Sequence, residues 1–476
     1  MQITEIDIKK MVEQVLNQLG QNQTDDSPVT SLPDVRLGNG VFTTVDEAAT
    51  AARLAWEKLR KLPMATRRRM IENMRAVSRK HAEELAKLAV EETGLGRVED
   101  KIAKILLAAN KTPGVEDLIS TAYSGDDGLT LVEYAPIGVF GSITPSTNPA
   151  ATVINNSISL IAAGNTVIYN PHPSAKRVSI KTLQHLNQAI VEAGGPENAL
   201  TSVAAPNLET SAQVMNHPQV NALVVTGGGP VVKAAMAVGK KVLAAGPGNP
   251  PVVVDETAII SKAASDIVKG ASFDNNVLCT AEKEVFVVDK VANALKAEMV
   301  KNGAMELRGF QFEKVLEKVL VKKKNDKFYP NRDFIGKDAH VILQAAGIQA
   351  NPNVKLLIAE TTKDHPLVMT EMLMPIIPIV RVPDVDKAIE LAVIAEKGNR
   401  HTAVMHSQNI TNLTKMAQEI QATIFVKNGP SVAGLGFESE GFTTLTIAGP
   451  TGEGLTSAKT FTRQRRCVLV DGLRII

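Results

Sequence analysis

Cys279 closes the segment Gly270-Ala271-Ser272-Phe273-Asp274-Asn275-Asn276-Val277-Leu278-Cys279 and is one of only two cysteines in 476 residues. A thiolate adds readily to an aldehyde and departs readily afterwards, which suits a covalent route through a hemithioacetal to a thioester. Taken alone, a single cysteine is more often a small buried hydrophobe. Three further segments have backbone or side chains that suit chemistry. Thr144-Pro145-Ser146-Thr147-Asn148-Pro149 follows a strand-like run and opens a helical one. Its amides and polar side chains fit an oxyanion, while helix capping is the plainer role. Val225-Thr226-Gly227-Gly228-Gly229-Pro230 joins a strand to a helix, and its glycines let backbone N–H groups approach a phosphate. It lacks the GxGxxG spacing, and any tight strand–helix turn would look similar. Gly246-Pro247-Gly248-Asn249-Pro250-Pro251 is a backbone-driven loop ahead of a strand, and Asn165 after Gly164 reads as a structural turn residue.

The elements that position these residues alternate. Strand-like runs at Val139–Ile143, Thr166–Tyr169, Leu200–Val203 and Ala222–Thr226 are interleaved with helical runs at Ala151–Ala162, Val178–Glu192 and Ser211–Met215. That pattern predicts βαβ units around a parallel sheet. It recurs from Pro251 to about Phe425, so two α/β lobes are expected. Ahead of them, Thr44–Glu92 has helical periodicity broken at Pro63 and ended by Thr93-Gly94. The first twenty residues form a separate amphipathic pattern, with Ile3, Ile6, Met11, Val12, Val15, Leu16 and Leu19 on one face and Gly20 as a stop. The polar stretch from Gln21 to Pro28 reads as a linker. An isolated helix of that length is marginal in water, so it is expected to dock, either on a partner or on the chain's own body.

Composition narrows the class. Hydrophobic residues are 44% and charged residues 21%, as in a globular protein, and Lys+Arg (52) nearly balances Asp+Glu (50). No charge excess points to nucleic acid or a membrane surface, and no apolar run approaches the ~20 residues of a membrane helix. Two cysteines make a disulfide framework or a zinc site of usual spacing unexpected, and a reducing compartment is the natural reading.

Each signal is weak alone, but their order is not. The running order strand–PSTNP–helix, GN–strand–PHP, strand–TGG, GPGNP, Cys and TEMLMP resembles that of the aldehyde dehydrogenase superfamily. Within it, SFDNNVLCTAEK, TPSTNPAATVINNSISLIAAGN, FVKNGPSVAGLG, EGFTTLTI, PTGEGLTSAKTF and RRCVLV closely resemble the coenzyme A-acylating propionaldehyde and acetaldehyde dehydrogenases of bacterial microcompartments. The likeness runs from about Val41 to Ile476.

The resemblance implies an α/β fold of two Rossmann-like lobes plus a small β oligomerisation flap. Residues 1–20 would be an encapsulation-type helix and 21–40 a linker. The NAD-binding domain would comprise 41–119 and 136–247, the flap 120–135 and 445–476, and the catalytic domain 248–444. Cys279 matches the family nucleophile. Thr147 and Asn148 straddle the oxyanion asparagine, and the alignment leaves the choice between them open. Thr226, Gly227 and Gly228 match the pyrophosphate turn, Glu371 the carboxylate on the nicotinamide ribose, and Pro171-His172-Pro173 the adenosine-ribose segment. That segment lacks the usual lysine, which leans toward NAD over NADP, although His172 can carry charge. His401 matches a histidine of related acylating enzymes, as a base toward the incoming thiol or as a structural residue. Ala244 stands where hydrolytic relatives have a water-activating glutamate. Cys467, beside Arg465 and Arg466, falls in a subunit-contact region and is expected to be structural. Close relatives read G-L-G-G-E-G where this chain has Gly436-Phe437-Glu438-Ser439-Glu440-Gly441, which puts aldehyde chain length in question.

The resulting expectation is a short-chain aldehyde dehydrogenase using NAD and coenzyme A, with no metal, as a homodimer or homotetramer in the cytoplasm inside a microcompartment. A hydrolytic dehydrogenase releasing free acid, or a silent scaffold subunit, are the rivals. Deleting residues 1–20 should leave activity intact and abolish encapsulation, scored by co-purification with shells. Loss of folding or activity would make that segment part of the domain.

Overall fold

A computed structural model describes residues 35–323, 327–349 and 351–476. The helix expected at 1–20 and linker residues 21–34 lie outside that range.

Two all-parallel sheets carry the architecture. The first has six strands in the spatial order Val41–Phe42, Leu200–Val203, Thr166–Pro171, Val139–Thr144, Ala222–Thr226, Lys241–Ala245. Its registers are parallel throughout. Chain order reverses between Val139–Thr144 and Ala222–Thr226, creating the crevice in which such sheets bind ligands at the carboxyl ends of their strands. The second has seven strands in the order Ala304–Glu306, Leu356–Thr361, Ile376–Val382, Glu284–Val288, Pro251–Val254, Thr402–His406, Ile424–Lys427. It too is parallel at every pairing. Both sheets have helices on both faces, and their strands are correspondingly apolar runs rather than alternating ones; all five residues of Glu284–Val288 and all six of Val139–Thr144 are buried.

The helical pattern of Thr44–Glu92 resolves into three helices, Val45–Leu59, Met64–Lys80 and Ala82–Thr93. Thr44 starts the first with a capping box to Glu47, and Gly94 ends the third in the left-handed conformation. The break at His81 had no glycine or proline to announce it. A fourth helix, Val98–Lys111, follows.

Helix Pro149–Ala162, directly after Asn148, is buried along its whole length. Ile154, Ile158, Leu160 and Ile161 have no exposed surface, and each contributes roughly 1.5–3 kcal/mol of apolar burial. Several of its polar residues are paired. Asn155 donates to Thr112 Oγ1 (2.9 Å) and accepts from the Leu445 amide (3.0 Å). Ser157 Oγ shares a hydrogen bond with Tyr169 OH at 2.7 Å. Asn165 ties the next turn, accepting from the Ile137 and Gly138 amides.

A separate three-stranded antiparallel sheet joins Thr121–Gly125, Gly128–Pro136 and Thr462–Val470. The last strand begins just after Phe461, which packs edge-on against Phe140 in the first lobe. Cys467, Val468, Leu469 and Val470 are exposed on it in the single chain.

Candidate active site

Four neighbouring strands of the second sheet, Ile376–Val382, Glu284–Val288, Pro251–Val254 and Thr402–His406, are entered by loops carrying Glu371, Cys279, Gly248 and His401 respectively. Adjacent strands lie about 4.8 Å apart, so these loops lie side by side. Gly248 sits among them. A Cβ there would stand 2.6 Å from the Cys279 carbonyl oxygen and 3.1 Å from the His401 ring. The first lobe brings Thr147, Asn148, the Thr226–Gly229 turn and His172 from the carboxyl ends of its strands.

The loop ahead of Cys279 is backbone-strained. Asp274, Asn275 and Asn276 have φ of 48°, 54° and 65°, three successive residues in the left-handed region. Asp and Asn tolerate that region best among residues with side chains, and each is tied. Asn275 Nδ2 donates to Gly336 O (3.0 Å) and Asp338 Oδ1 (2.8 Å). Asn276 Nδ2 donates to Ala271 O (2.8 Å) and Glu282 O (2.9 Å). Asp274 Oδ1 accepts from the Arg97 amide at 2.7 Å, and the close approach requires Gly96, whose Cβ would fall 2.0 Å from that oxygen. Strain of this kind persists only when the surroundings over-determine it.

Below the loop, buried Lys283 donates to Asn276 O (2.9 Å), Asn276 Oδ1 (2.6 Å) and Leu278 O (3.1 Å). Glu282 accepts from the Ser431 amide (2.7 Å) and hydroxyl (2.6 Å); burial pushes its carboxyl up to about 7. Beside it, burial raises Glu284 well above the carboxylate range, and Asn249 donates to it at 3.1 Å.

Cys279 is half-buried rather than sealed in the apolar core. Its dense surroundings, then the nearby Glu371 carboxylate, push its thiol up to about 11, against the opposing pull of Lys283 and Lys104. The resting sulfur is therefore a protonated thiol. His401 is buried, its Nδ1 against Thr402 Oγ1 at 2.9 Å and its Nε2 without a partner among the described residues. Burial, with Lys283 nearby, pushes it down to about 4, so it is neutral at pH 7. Burial also raises Glu371.

Two lysines absent from the sequence reading complete the site. Lys101 and Lys104, 3% and 2% exposed, project from helix Val98–Lys111. Lys101 donates to Thr147 O (3.2 Å) and Asp274 Oδ2 (3.1 Å). Lys104 donates to Asn148 Oδ1 and to Asp274 Oδ2. With Ile105 and Ala108 they occupy positions i, i+3, i+4 and i+7, so two lysines on an otherwise apolar stripe were the available signal. Asn148 makes no capping bond to the helix it precedes.

A dinucleotide fits the first lobe. Cβ atoms at Gly227, Gly228 and Gly229 would meet no protein atom closer than 3.8 Å, leaving open space over the start of helix Gly229–Met236. Thr226 Oγ1 holds the turn against Thr446 Oγ1 (2.9 Å), which donates to Asn156 Oδ1 (3.0 Å). Exposed His172 is lowered by partial burial and then by Arg332. Ala244 lies wholly buried in strand Lys241–Ala245. Phe437 packs against Phe273 with ring centroids 5.2 Å apart, and Glu438 pairs with Lys269 at 2.6 Å; all four line a cavity of about 770 Å³.

With Cys467 replaced by Ser, iodoacetamide alkylation of Cys279 in the cofactor-free protein should keep accelerating above pH 9. E371Q should move that profile to lower pH, because it removes a negative charge beside the sulfur. A plateau below pH 8 would contradict a raised thiol.

The aldehyde dehydrogenase family model matches residues 25–442. The chain is 51% identical over 473 residues to the acetylating acetaldehyde dehydrogenase of Escherichia coli (strain K12), covering 99% of each chain. It is 47% identical over 439 residues to the CoA-propanoylating propanal dehydrogenase of Citrobacter freundii, covering 92% of this chain and 94% of that one. Among solved structures, Rhodopseudomonas palustris propionaldehyde dehydrogenase with bound CoA and an acylated cysteine superposes with a TM-score of 0.90 at 49% identity, covering 92% of this chain and 100% of that one. A propionaldehyde dehydrogenase from the Clostridium phytofermentans fucose utilisation bacterial microcompartment gives a TM-score of 0.90 at 48% identity, with 92% and 100% covered. With its paired parallel sheets and its cysteine loop, the chain belongs to the aldehyde dehydrogenase family, on its acylating branch.

Proposed function

We propose that the chain oxidises a short-chain aldehyde, acetaldehyde or propionaldehyde, with NAD and passes the acyl group to coenzyme A through a thioester on Cys279. One observation carries the thiolytic ending. Ala244, at the position of the water-activating glutamate in hydrolytic relatives, is packed in the sheet and offers no base. Relatives named as acetylating and CoA-propanoylating, and one solved with CoA and an acylated cysteine, support the same ending.

The raised thiol makes deprotonation part of the first step. Cys279 gives up its proton to solvent water at this half-buried position as its sulfur bonds to the carbonyl carbon, and the opened C=O π bond leaves an oxyanion on the oxygen. We assign Asn148 Nδ2 and the Cys279 backbone N–H as its donors; one such donor is worth about 3 kcal/mol in the transition state. Thr147, whose carbonyl is held by Lys101 and whose hydroxyl accepts from Asn148 Nδ2 at 3.2 Å, then has a supporting place. Bound NAD supplies the hydride acceptor. The Thr226–Gly228 turn is assigned to its pyrophosphate, Glu371 to the nicotinamide ribose and Pro171–Pro173 to the adenosine end. The Pro171–Pro173 segment carries no lysine for a 2′-phosphate, which supports NAD. Collapse of the hemithioacetal leaves an acyl group on Cys279 Sγ. The thiol of coenzyme A attacks that carbonyl, its proton leaves, and Cys279 departs. His401 Nε2, neutral and without a partner among the described residues, is assigned as the acceptor toward that proton.

The exposed Val468–Val470 edge suits a subunit contact. Residence in a bacterial microcompartment, with residues 1–20 as the docking segment, accords with the origin of one solved relative.

Steady NADH formation from propionaldehyde should require coenzyme A and yield propionyl-CoA, and C279A should abolish it. Undiminished NADH with propionate as product and no coenzyme A would establish the hydrolytic rival. Near wild-type turnover by C279A would remove the nucleophile.

A further inference from the structure

The role proposed for Asn148 requires that the nitrogen end of its carboxamide face the reacting carbon. Lys104 sets that orientation. An ammonium has three protons and no lone pair, so the atom against Lys104 Nζ is Asn148 Oδ1. The amide nitrogen is turned to the other side. There it donates to Thr147 Oγ1 at 3.2 Å, and no other acceptor takes its second proton among the described residues. Flipping the amide would set its NH₂ against the ammonium and its oxygen toward the developing negative charge, so both ends would repel. The following helix does not fix the group either, since Asn148 makes no capping bond to it.

Lys104 is fixed in turn by Asp274 Oδ2, an oxygen it shares with Lys101. Asp274 stands in the strained run ahead of Cys279, and its other oxygen accepts from the Arg97 amide. One ammonium thus touches the loop of each lobe.

We infer that Lys104 is a positioning residue for the reaction: it holds the Asn148 carboxamide with its nitrogen toward the oxyanion and ties that holder, through Asp274, to the Cys279 loop. This rests on the oxyanion assignment of Asn148.

A double-mutant cycle on the NADH burst separates the two. Single-turnover hydride transfer is measured in the full-length enzyme, N148A, K104M and K104M/N148A, with the aldehyde KM from steady state and thermal melting for each. N148A should slow the burst about 10²–10³-fold. K104M should slow it by about tenfold or more with KM little changed, and the double variant should be no slower than N148A, as expected when one residue acts through the other. K104Q keeps a neutral donor for Oδ1 and should fall between wild type and K104M; should K104M fail to fold, K104Q carries the same cycle. A slow N148A combined with multiplicative losses, or with a wild-type burst in the Lys104 variants, overturns the inference and leaves the oxyanion assignment standing. A wild-type burst in N148A overturns both.

Discussion

Two ammonium groups share one carboxylate with almost no access to water, and the mutual placement of the Asn148 and Cys279 loops depends on that contact. Lys101, Lys104 and Asp274 are 3%, 2% and 0% exposed. Taking such charges out of water costs several kcal/mol per ion unless nearly every donor and acceptor is matched. Here the matching partners come from both lobes: Thr147 O and Asn148 Oδ1 from the first, Asp274 from the second, and the Arg97 amide from the start of the helix itself. Burial and then Lys104 push Lys101 down to about 8. Apolar side chains could fill that volume at lower cost. They could not fix the distance between the loop that precedes Pro149 and the loop that precedes Cys279.

That contact matters because the lobes meet by unlike strand ends. The first sheet offers the carboxyl ends of its strands, where glycine turns and helix starts leave N–H groups free for a dinucleotide. The second offers the amino ends, where four entering loops stand side by side. Three left-handed residues turn the chain sharply before Cys279, and side-chain bonds from Asn275, Asn276 and Lys283 hold the turn. The product is a half-buried thiol with its proton still on, beside the Glu371 carboxylate.

Much of this was legible from residue types. The alternation of apolar runs announced the βαβ order of the first lobe, and strands expected at Leu200–Val203 and Ala222–Thr226 have those bounds. Cys279, the Thr226–Gly228 turn and Glu371 stood out through motif order and family likeness, not through local physics. The lysines did not stand out, because lysines three apart on a helix ordinarily face solvent, and only tertiary contact turns this pair inward. The choice between Thr147 and Asn148 could not be made by alignment; the observation that supports Asn148, the contact of its Oδ1 with an ammonium from a distant helix, is tertiary. The protonation of Cys279 was equally hidden, since it follows from packing and from a carboxylate 92 residues away in the chain. The break at His81 has no local marker.

The central claim is that an acyl group resides on Cys279 between oxidation and transfer. Mass spectrometry of the enzyme quenched after reaction with propionaldehyde and NAD, with coenzyme A withheld, tests it directly. A propionyl adduct should appear on the peptide bearing Cys279, then vanish as coenzyme A is added and propionyl-CoA appears in equal amount. NADH formed with no adduct on that peptide, or an adduct that coenzyme A fails to discharge, would contradict it.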